Sequence, residues 1–161
     1  MKKYSFKNDY SEGAHPAILQ RLIDTNLEQT IGYGEDEFCN EARELIKKYL
    51  KKDAAIHFVS GGTQANLIVI SSILKPHESV IAAESGHIAV HETGAIEATG
   101  HKVNTIATDN GKITPEQISV VLATHTDEHM VKPKLVYISN STEVGSCLLY
   151  TSDAADEEDS V

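Results

Sequence analysis

A short glycine turn between two apolar segments carries residue types that suit the binding of an anion. Residues 56–59 are an apolar run typical of a strand, residues 60–63 read Ser-Gly-Gly-Thr, and residues 65–74 have a helical pattern. The first amides of such a helix are unpaired donors at the positive end of its dipole, and glycines let the backbone approach a phosphate closely. The alternative is that Ser60 or Thr63 only caps the helix.

A second group of residues could do acid–base or metal chemistry. His87 and His91 are four residues apart and Glu92 follows, so both imidazoles could lie on one helical face as metal ligands. The glutamate is not placed as in the HExxH motif of metalloproteases, and no distant cysteine or histidine cluster completes a site. The sequence therefore predicts no metal centre and favours His91 as an ordinary helix residue.

The size and charge of the chain narrow the class of protein. Its 161 residues can form one domain with a core, or part of a larger domain. The formal net charge of −10 argues against a nucleic-acid partner, since no basic cluster offsets it. Two cysteines provide no disulfide framework and no CxxC metal motif.

No segment has the pattern of a membrane span or a secretory signal. The longest purely aliphatic run, residues 67–70, is far too short to cross a bilayer. The first residues carry positive charge, but no apolar segment follows them. We therefore expect no membrane association and a location in the reducing cytoplasm.

The elements that must position these groups alternate between strand and helix. Predicted strands are Ile56–Val59, Ser79–Ala83, Lys102–Ala107 and Lys134–Ser139. Predicted helices begin at Pro16, at about Asp36, within residues 65–74 and 86–99, and after a capping box at Thr114. This order predicts an α/β fold, a mostly parallel sheet with helices on both faces. His87 and the glycine turn then follow strands at the carboxyl edge, where open α/β sheets bind ligands.

Residues 147–161 differ from the rest of the chain. They hold five acidic residues and no basic ones, and no amphipathic period continues after Leu149. The segment is similar to the non-native translated ends of truncated gene models, although a solvated acidic extension is the alternative. We therefore predict three parts: an N-terminal arm and helix over residues 1–35, a partial ligand-binding domain over 36–146, and a non-native acidic tail over 147–161.

Four segments in register suggest a family. They are Phe6-Lys7-Asn8-Asp9-Tyr10, Gly32-Tyr33-Gly34-Glu35-Asp36, Ser60-Gly61-Gly62-Thr63-Gln64-Ala65-Asn66 and Glu84-Ser85-Gly86-His87-Ile88. In this order the chain, from Phe6 to about Gly145, resembles the N-terminal part of the threonine aldolase and β-eliminating lyase family. The resemblance implies a pyridoxal 5'-phosphate enzyme of fold type I, the aspartate-aminotransferase type, of which this chain would be a truncated large domain.

The resemblance also assigns roles around the cofactor. Gly62 and Thr63 match the residues that hold its phosphate, and Gly61 or Gln64 provides a neighbouring contact. His87 matches the histidine whose imidazole stacks on the pyridine ring, and it is also a candidate catalytic base, alone or through water.

Further roles fall on residues outside that group. Asn8 lies where the family has a residue, usually serine, that helps to hold the substrate carboxylate. Tyr33 and Gly34 match a loop near the active site of a neighbouring subunit. Residues 142–145 match a loop that faces the cofactor.

The implied reaction is cleavage of L-threonine or L-allo-threonine to glycine and acetaldehyde. In the family, the lysine that attaches the cofactor, the aspartate that pairs with the pyridine nitrogen and the arginine that binds the substrate carboxylate lie further along. No lysine follows Lys134 here, so the resemblance implies that the fragment is inactive alone. It also implies a homo-oligomer, a dimer or tetramer, for the intact parent, with a small amino acid as substrate.

Three other functions stay open at this point. One is another lyase or aminotransferase of the same fold, since the phosphate-binding turn is shared. Another is a non-catalytic module for a phosphorylated metabolite or nucleotide, although the dinucleotide fingerprint G-x-G-x-x-G is absent. The third is a purely structural acidic domain that binds another subunit.

Overall fold

The computed structural model describes residues 13–146, which divide into two compact units between Phe58 and Val59. The first unit contains helices α1 (Pro16–Thr25) and α2 (Glu37–Leu50). The second contains α3 (Gly62–Ile73), β1 (Glu78–Ala83), α4 (His87–Val90), α5 (Ala95–Ala98), β2 (Val103–Ile106), α6 (Pro115–Thr124) and β3 (Lys132–Val136). The predicted boundary between residues 35 and 36 stays a prediction, and the predicted tail lies outside the described residues.

The second unit is built on a parallel sheet of three strands in the order β2-β1-β3. In the central strand, Val80 lies opposite Val103 of β2 and opposite Leu135 of β3. Residues 79–83 of that strand are all buried, as expected for a parallel strand that is covered on both faces. The predicted α/β class with a parallel sheet is therefore confirmed.

The core joins this sheet to the helices around it. Ile70 and Leu74 at the end of α3 pack with Val80 and Ala82 of β1. Ile88 of α4 and Ile96 of α5 complete the same cluster, and both are buried. The core therefore lies directly behind the edge at which β1 ends.

Helix starts agree with the local sequence. Thr114 caps α6 in a reciprocal capping box: its Oγ1 accepts from the amide of Gln117, and its own amide donates to the Gln117 side chain. Asp36 caps α2, since its carboxylate accepts from the amide of Cys39 at 2.8 Å. None of the helices within residues 13–146 is long and apolar enough to cross a membrane.

Residues 56–59 do not form the predicted strand. They follow an irregular path in which Phe58 and Val59 stay half-exposed, and the sheet of the described residues holds no strand beside them. An apolar run becomes a strand only where another backbone completes its hydrogen bonds. Here the carbonyl of Ile56 accepts instead from Nε of Arg43, at 3.3 Å.

Residues 86–99 and strand β3 also differ from the prediction. Residues 86–99 form two short helices: the first ends at Val90, and Thr93 and Gly94, with left-handed φ of 53° and 73°, then separate it from the second. Strand β3 begins at Lys132 and ends at Val136. The amide of Tyr137 donates to Ile81 at 2.8 Å, and the chain then leaves the sheet.

We expect Ile96→Ala to lower the free energy of unfolding by about 2–5 kcal/mol, because it removes a fully buried side chain between α3 and the sheet. Ile73→Ala is the matched control: it makes the same change on α3, where 58% of the side chain is exposed. Urea unfolding followed by circular dichroism measures both. Equal losses in the two variants would contradict this account of the core.

A second prediction concerns the acid response of α2. The side chain and amide of Cys39 donate to the Asp36 carboxylate and hold its pKa below the ordinary value. A lowered pKa adds stability that is complete above the unfolded-state pKa and is lost as the pH falls through the folded-state value. Asp36→Asn keeps a cap but cannot titrate.

The difference in urea midpoint between wild type and this variant should therefore be constant near neutral pH and change as the pH falls below the ordinary aspartate pKa of 3.8. A difference that stays the same over the whole pH range would show that Asp36 does not titrate as its hydrogen bonds require.

Candidate active site

An open groove of about 490 Å³ lies at the carboxyl edge of the sheet. Its lining comes from the start of α3, the start of α4 and the segment that follows β3: Gly62, Asn66, His87 and residues 137–141, with Glu143 beside them. Because β1 and β3 run parallel, the segments that follow them meet at one edge. Two of the predicted site residues, Gly62 and His87, thus lie in the same groove.

The N-terminus of α3 presents unpaired amides. Gly61 is its N-cap residue, and no side chain caps it. The first backbone bond runs from the amide of Ala65 to the carbonyl of Gly61, at 3.1 Å. Within the described residues the amides of Gly62, Thr63 and Gln64 therefore donate to no protein acceptor. Unpaired donors at the positive end of a helix dipole are an arrangement that suits an anion.

The residues around this terminus leave it open. A Cβ placed on Gly61 or Gly62 would meet no atom within 4 Å, so no other part of the described fold packs against these two glycines on that side. Ser60 instead donates from its amide and its hydroxyl to Oε1 of Gln64, at 2.7 and 2.8 Å. The alternative that Ser60 or Thr63 merely caps the helix is therefore wrong.

His87 begins α4 and contacts Glu92, which Asn66 contacts in turn, and neither of these two residues was predicted to have that role. Its Nδ1 lies 2.8 Å from Oε1 of Glu92, and Nδ2 of Asn66 donates to the same oxygen. The Glu92 side chain is completely buried, whereas 38% of the His87 side chain is exposed. The ring of His87 is thus anchored on one side and faces the groove on the other.

From the sequence, Glu92 was a candidate only for a metal site, and Asn66 was noted only as part of one of the four segments shared with the family. Both are polar residues within otherwise apolar helical segments. That pattern could have predicted that they contact a partner, because a buried polar side chain needs a hydrogen-bond partner. Their separation of 26 residues gave no indication that they meet.

His91 lies at the C-terminal end of α4. Its ring centroid is 5.6 Å from that of His87, with the ring planes tilted by 59°. Its Nε2 is 3.9 Å from Oε2 of Glu143. No group of three or more potential ligand residues within residues 13–146 is arranged to hold a metal ion.

The loop that follows β3 is fixed from behind. Thr142 is buried, its Oγ1 donates to the carbonyl of Asn110 at 3.1 Å, and it accepts from the amide of Ser146 at 3.1 Å. A Cβ on Gly111 would lie 2.8 Å from the Thr142 side chain, so only glycine allows this approach. The anchoring places Glu143 at the groove.

The remaining predicted site residues lie elsewhere. Asn8 falls outside the described residues. Tyr33 and Gly34 belong to the first unit, in a turn with φ of 64° and 74°. The Tyr33 side chain is fully exposed, and the carbonyl of Gly34 accepts from Nη2 of Arg43 at 2.6 Å. The substrate and interface roles of these residues stay predictions.

Comparison with known proteins identifies relatives of this chain. It is 33% identical, over 143 residues, to a low specificity L-threonine aldolase of a Pseudomonas species, and 29% identical over the same length to one of Pseudomonas aeruginosa. Each alignment covers 88% of this chain and 41% of the relative.

A solved structure, described as a threonine aldolase of Leishmania major, is 50% identical and superimposes with a TM-score of 0.84. The match covers 99% of this chain and 48% of that protein. The chain thus spans less than half the length of these relatives. The model of the beta-eliminating lyase family matches residues 7–153, which include all of the described residues. The chain belongs to the beta-eliminating lyase family.

Proposed function

We propose that this chain is the part of a pyridoxal-phosphate-dependent threonine aldolase that binds the phosphate and the ring of the cofactor. The observation that carries the proposal is the groove that is lined both by Gly62, the first residue of α3 with its uncapped amides, and by the half-exposed His87. The names of the relatives support the reaction class.

The chemistry of the donors fits a phosphate monoester with an aromatic ring attached. The amides of Gly62, Thr63 and Gln64 would bind the phosphate, and the Thr63 hydroxyl would add a further donor. His87, on the same groove, would stack its imidazole on the ring. When bound, pyridoxal phosphate supplies the electron sink that allows the Cα–Cβ bond of a β-hydroxy amino acid to break into glycine and acetaldehyde.

The other roles concern the substrate and the assembly. Nε2 of His87 is a candidate base for the β-hydroxyl proton, alone or through a water molecule. Asn8 would contact the carboxylate of L-threonine or L-allo-threonine, and Tyr33 and Gly34 would approach the active site of a neighbouring subunit. The proposal thus includes an amino acid substrate, a homo-oligomeric parent and a cytoplasmic location.

The phosphate site can be tested with a pair of substitutions at opposite ends of α3. Gly62→Asp places a negative charge beside the unpaired amides, so it should stabilise the helix by about 0.3–1 kcal/mol and weaken pyridoxal phosphate binding at least tenfold. Ser72→Asp adds the same charge in the last turn of the helix, so it should lower stability by a similar amount and leave binding unchanged.

Equilibrium dialysis with pyridoxal phosphate measures the binding, with inorganic phosphate as competitor, and thermal unfolding measures the stability. The two variants should therefore change binding and stability in opposite ways. Binding that is equally weak or equally strong in both variants would overturn the assignment of this helix terminus.

We also expect the 161-residue chain to release no acetaldehyde from L-threonine or L-allo-threonine. The reason is that covalent attachment of the cofactor needs an activated lysine amine, and no lysine follows Lys134. A coupled alcohol dehydrogenase assay with added pyridoxal phosphate measures the release. Turnover that His87→Ala abolishes would contradict the expectation.

A further inference from the structure

Glu92 is the unusual residue of the groove. The other acidic residues that the structure describes are at least partly exposed, whereas Glu92 is buried, with 5% of its surface exposed. It lies between Ile88 and Ile96, both fully buried, where a carboxyl group is costly unless it is hydrogen-bonded. The left-handed residues Thr93 and Gly94 follow it and separate α4 from α5. The fold thus places this carboxyl beneath the groove despite the cost.

One oxygen of Glu92 receives two contacts. Nδ2 of Asn66 can only donate, so Oε1 of Glu92 is the acceptor of that bond. The imidazole nitrogen that faces the same oxygen, Nδ1 of His87 at 2.8 Å, is then the second donor. The hydrogen bond at one ring nitrogen determines which nitrogen of a neutral histidine carries the proton.

From this geometry we infer that Glu92 is a positioning residue that holds neutral His87 in the tautomer with the proton on Nδ1. The lone pair of Nε2 is then available on the groove side, and Nε2 makes no hydrogen bond to the described residues. Asn66 supports the arrangement, because it fixes Oε1 from α3. The contact therefore couples the helix that carries the unpaired amides to the orientation of the imidazole.

The consequence for catalysis rests on the proposed function. A ring nitrogen with a free lone pair can accept the proton of a substrate β-hydroxyl, whereas the other tautomer presents N–H at that position. The side chain of Glu92 is completely buried, so it does not reach a molecule in the groove and acts only through His87. The tautomer itself is a property of the protein without any ligand.

The tautomer can be read directly by ¹⁵N NMR of the full 161-residue chain labelled at its histidine nitrogens. Without cofactor, at an alkaline pH where the ring signals no longer move, we expect a pyrrole-type shift for Nδ1 of His87 and a pyridine-type shift for Nε2. Loss of one signal set in His87→Gln assigns the residue among the eight histidines.

Two substitutions at position 92 separate the hydrogen bond from the charge. Glu92→Gln keeps an acceptor oxygen and should preserve the Nδ1–H tautomer. Glu92→Ala removes the acceptor and should shift His87 towards the Nε2–H tautomer. Glu97→Ala is the matched control, since Glu97 is exposed on α5 and its loss should leave the His87 signals unchanged.

Either of two results would overturn the inference: an Nε2–H tautomer in the wild type, or an unchanged Nδ1–H tautomer in Glu92→Ala. Should Glu92→Ala fail to fold, the wild-type and Glu92→Gln spectra decide alone. Because the measurement uses no cofactor, it tests the role of Glu92 even if pyridoxal phosphate does not bind to the chain. Conversely, cofactor binding together with the wrong tautomer would remove only the role of Glu92.

Discussion

The parallel pairing of β1 with a strand on each side is the constraint on which the rest of the second unit depends. Parallel strands end at the same edge, so the segments that follow β1 and β3 must meet there. Ile70 and Leu74, at the end of α3, also pack against the buried residues of β1. Packing of the C-terminal half of α3 against the sheet leaves its N-terminal amides at the groove.

The groove combines two electrostatic features that both depend on the position of helix α3. The start of α3 offers positive potential to an anion, and a few residues away the same helix donates from Asn66 to a buried carboxyl group. Glu92 joins this helix to His87. The helix that carries the unpaired amides and the orientation of the imidazole are therefore linked through Asn66 and Glu92. Thr142, anchored to Asn110, holds the loop that contains Glu143, another lining residue of the groove.

Interactions within a few residues were predictable. The capping box at Thr114 and the glycine turn at the start of α3 depend on neighbours three or four residues away. The local sequence is therefore enough to predict where they lie. Strand β1 was also predictable, because a short run of mainly apolar residues indicates a strand that is buried on both faces. Residues 56–59 have a similar apolar pattern and were predicted wrongly, since a run of residues does not reveal whether a partner strand exists.

By itself the sequence determined the α/β class, the starts of α1, α2 and α6 and the residue types at the glycine turn, because each depends on local periodicity or capping. Only the tertiary structure decided that Asn66, Glu92 and His87 share one hydrogen-bonded cluster and that residues 137–141 line the groove. The physical reason is that burial and long-range hydrogen bonds depend on which elements pack together. Residues 86–99 form two helices instead of the predicted one, and the segment between them holds Glu92, whose carboxylate contacts His87.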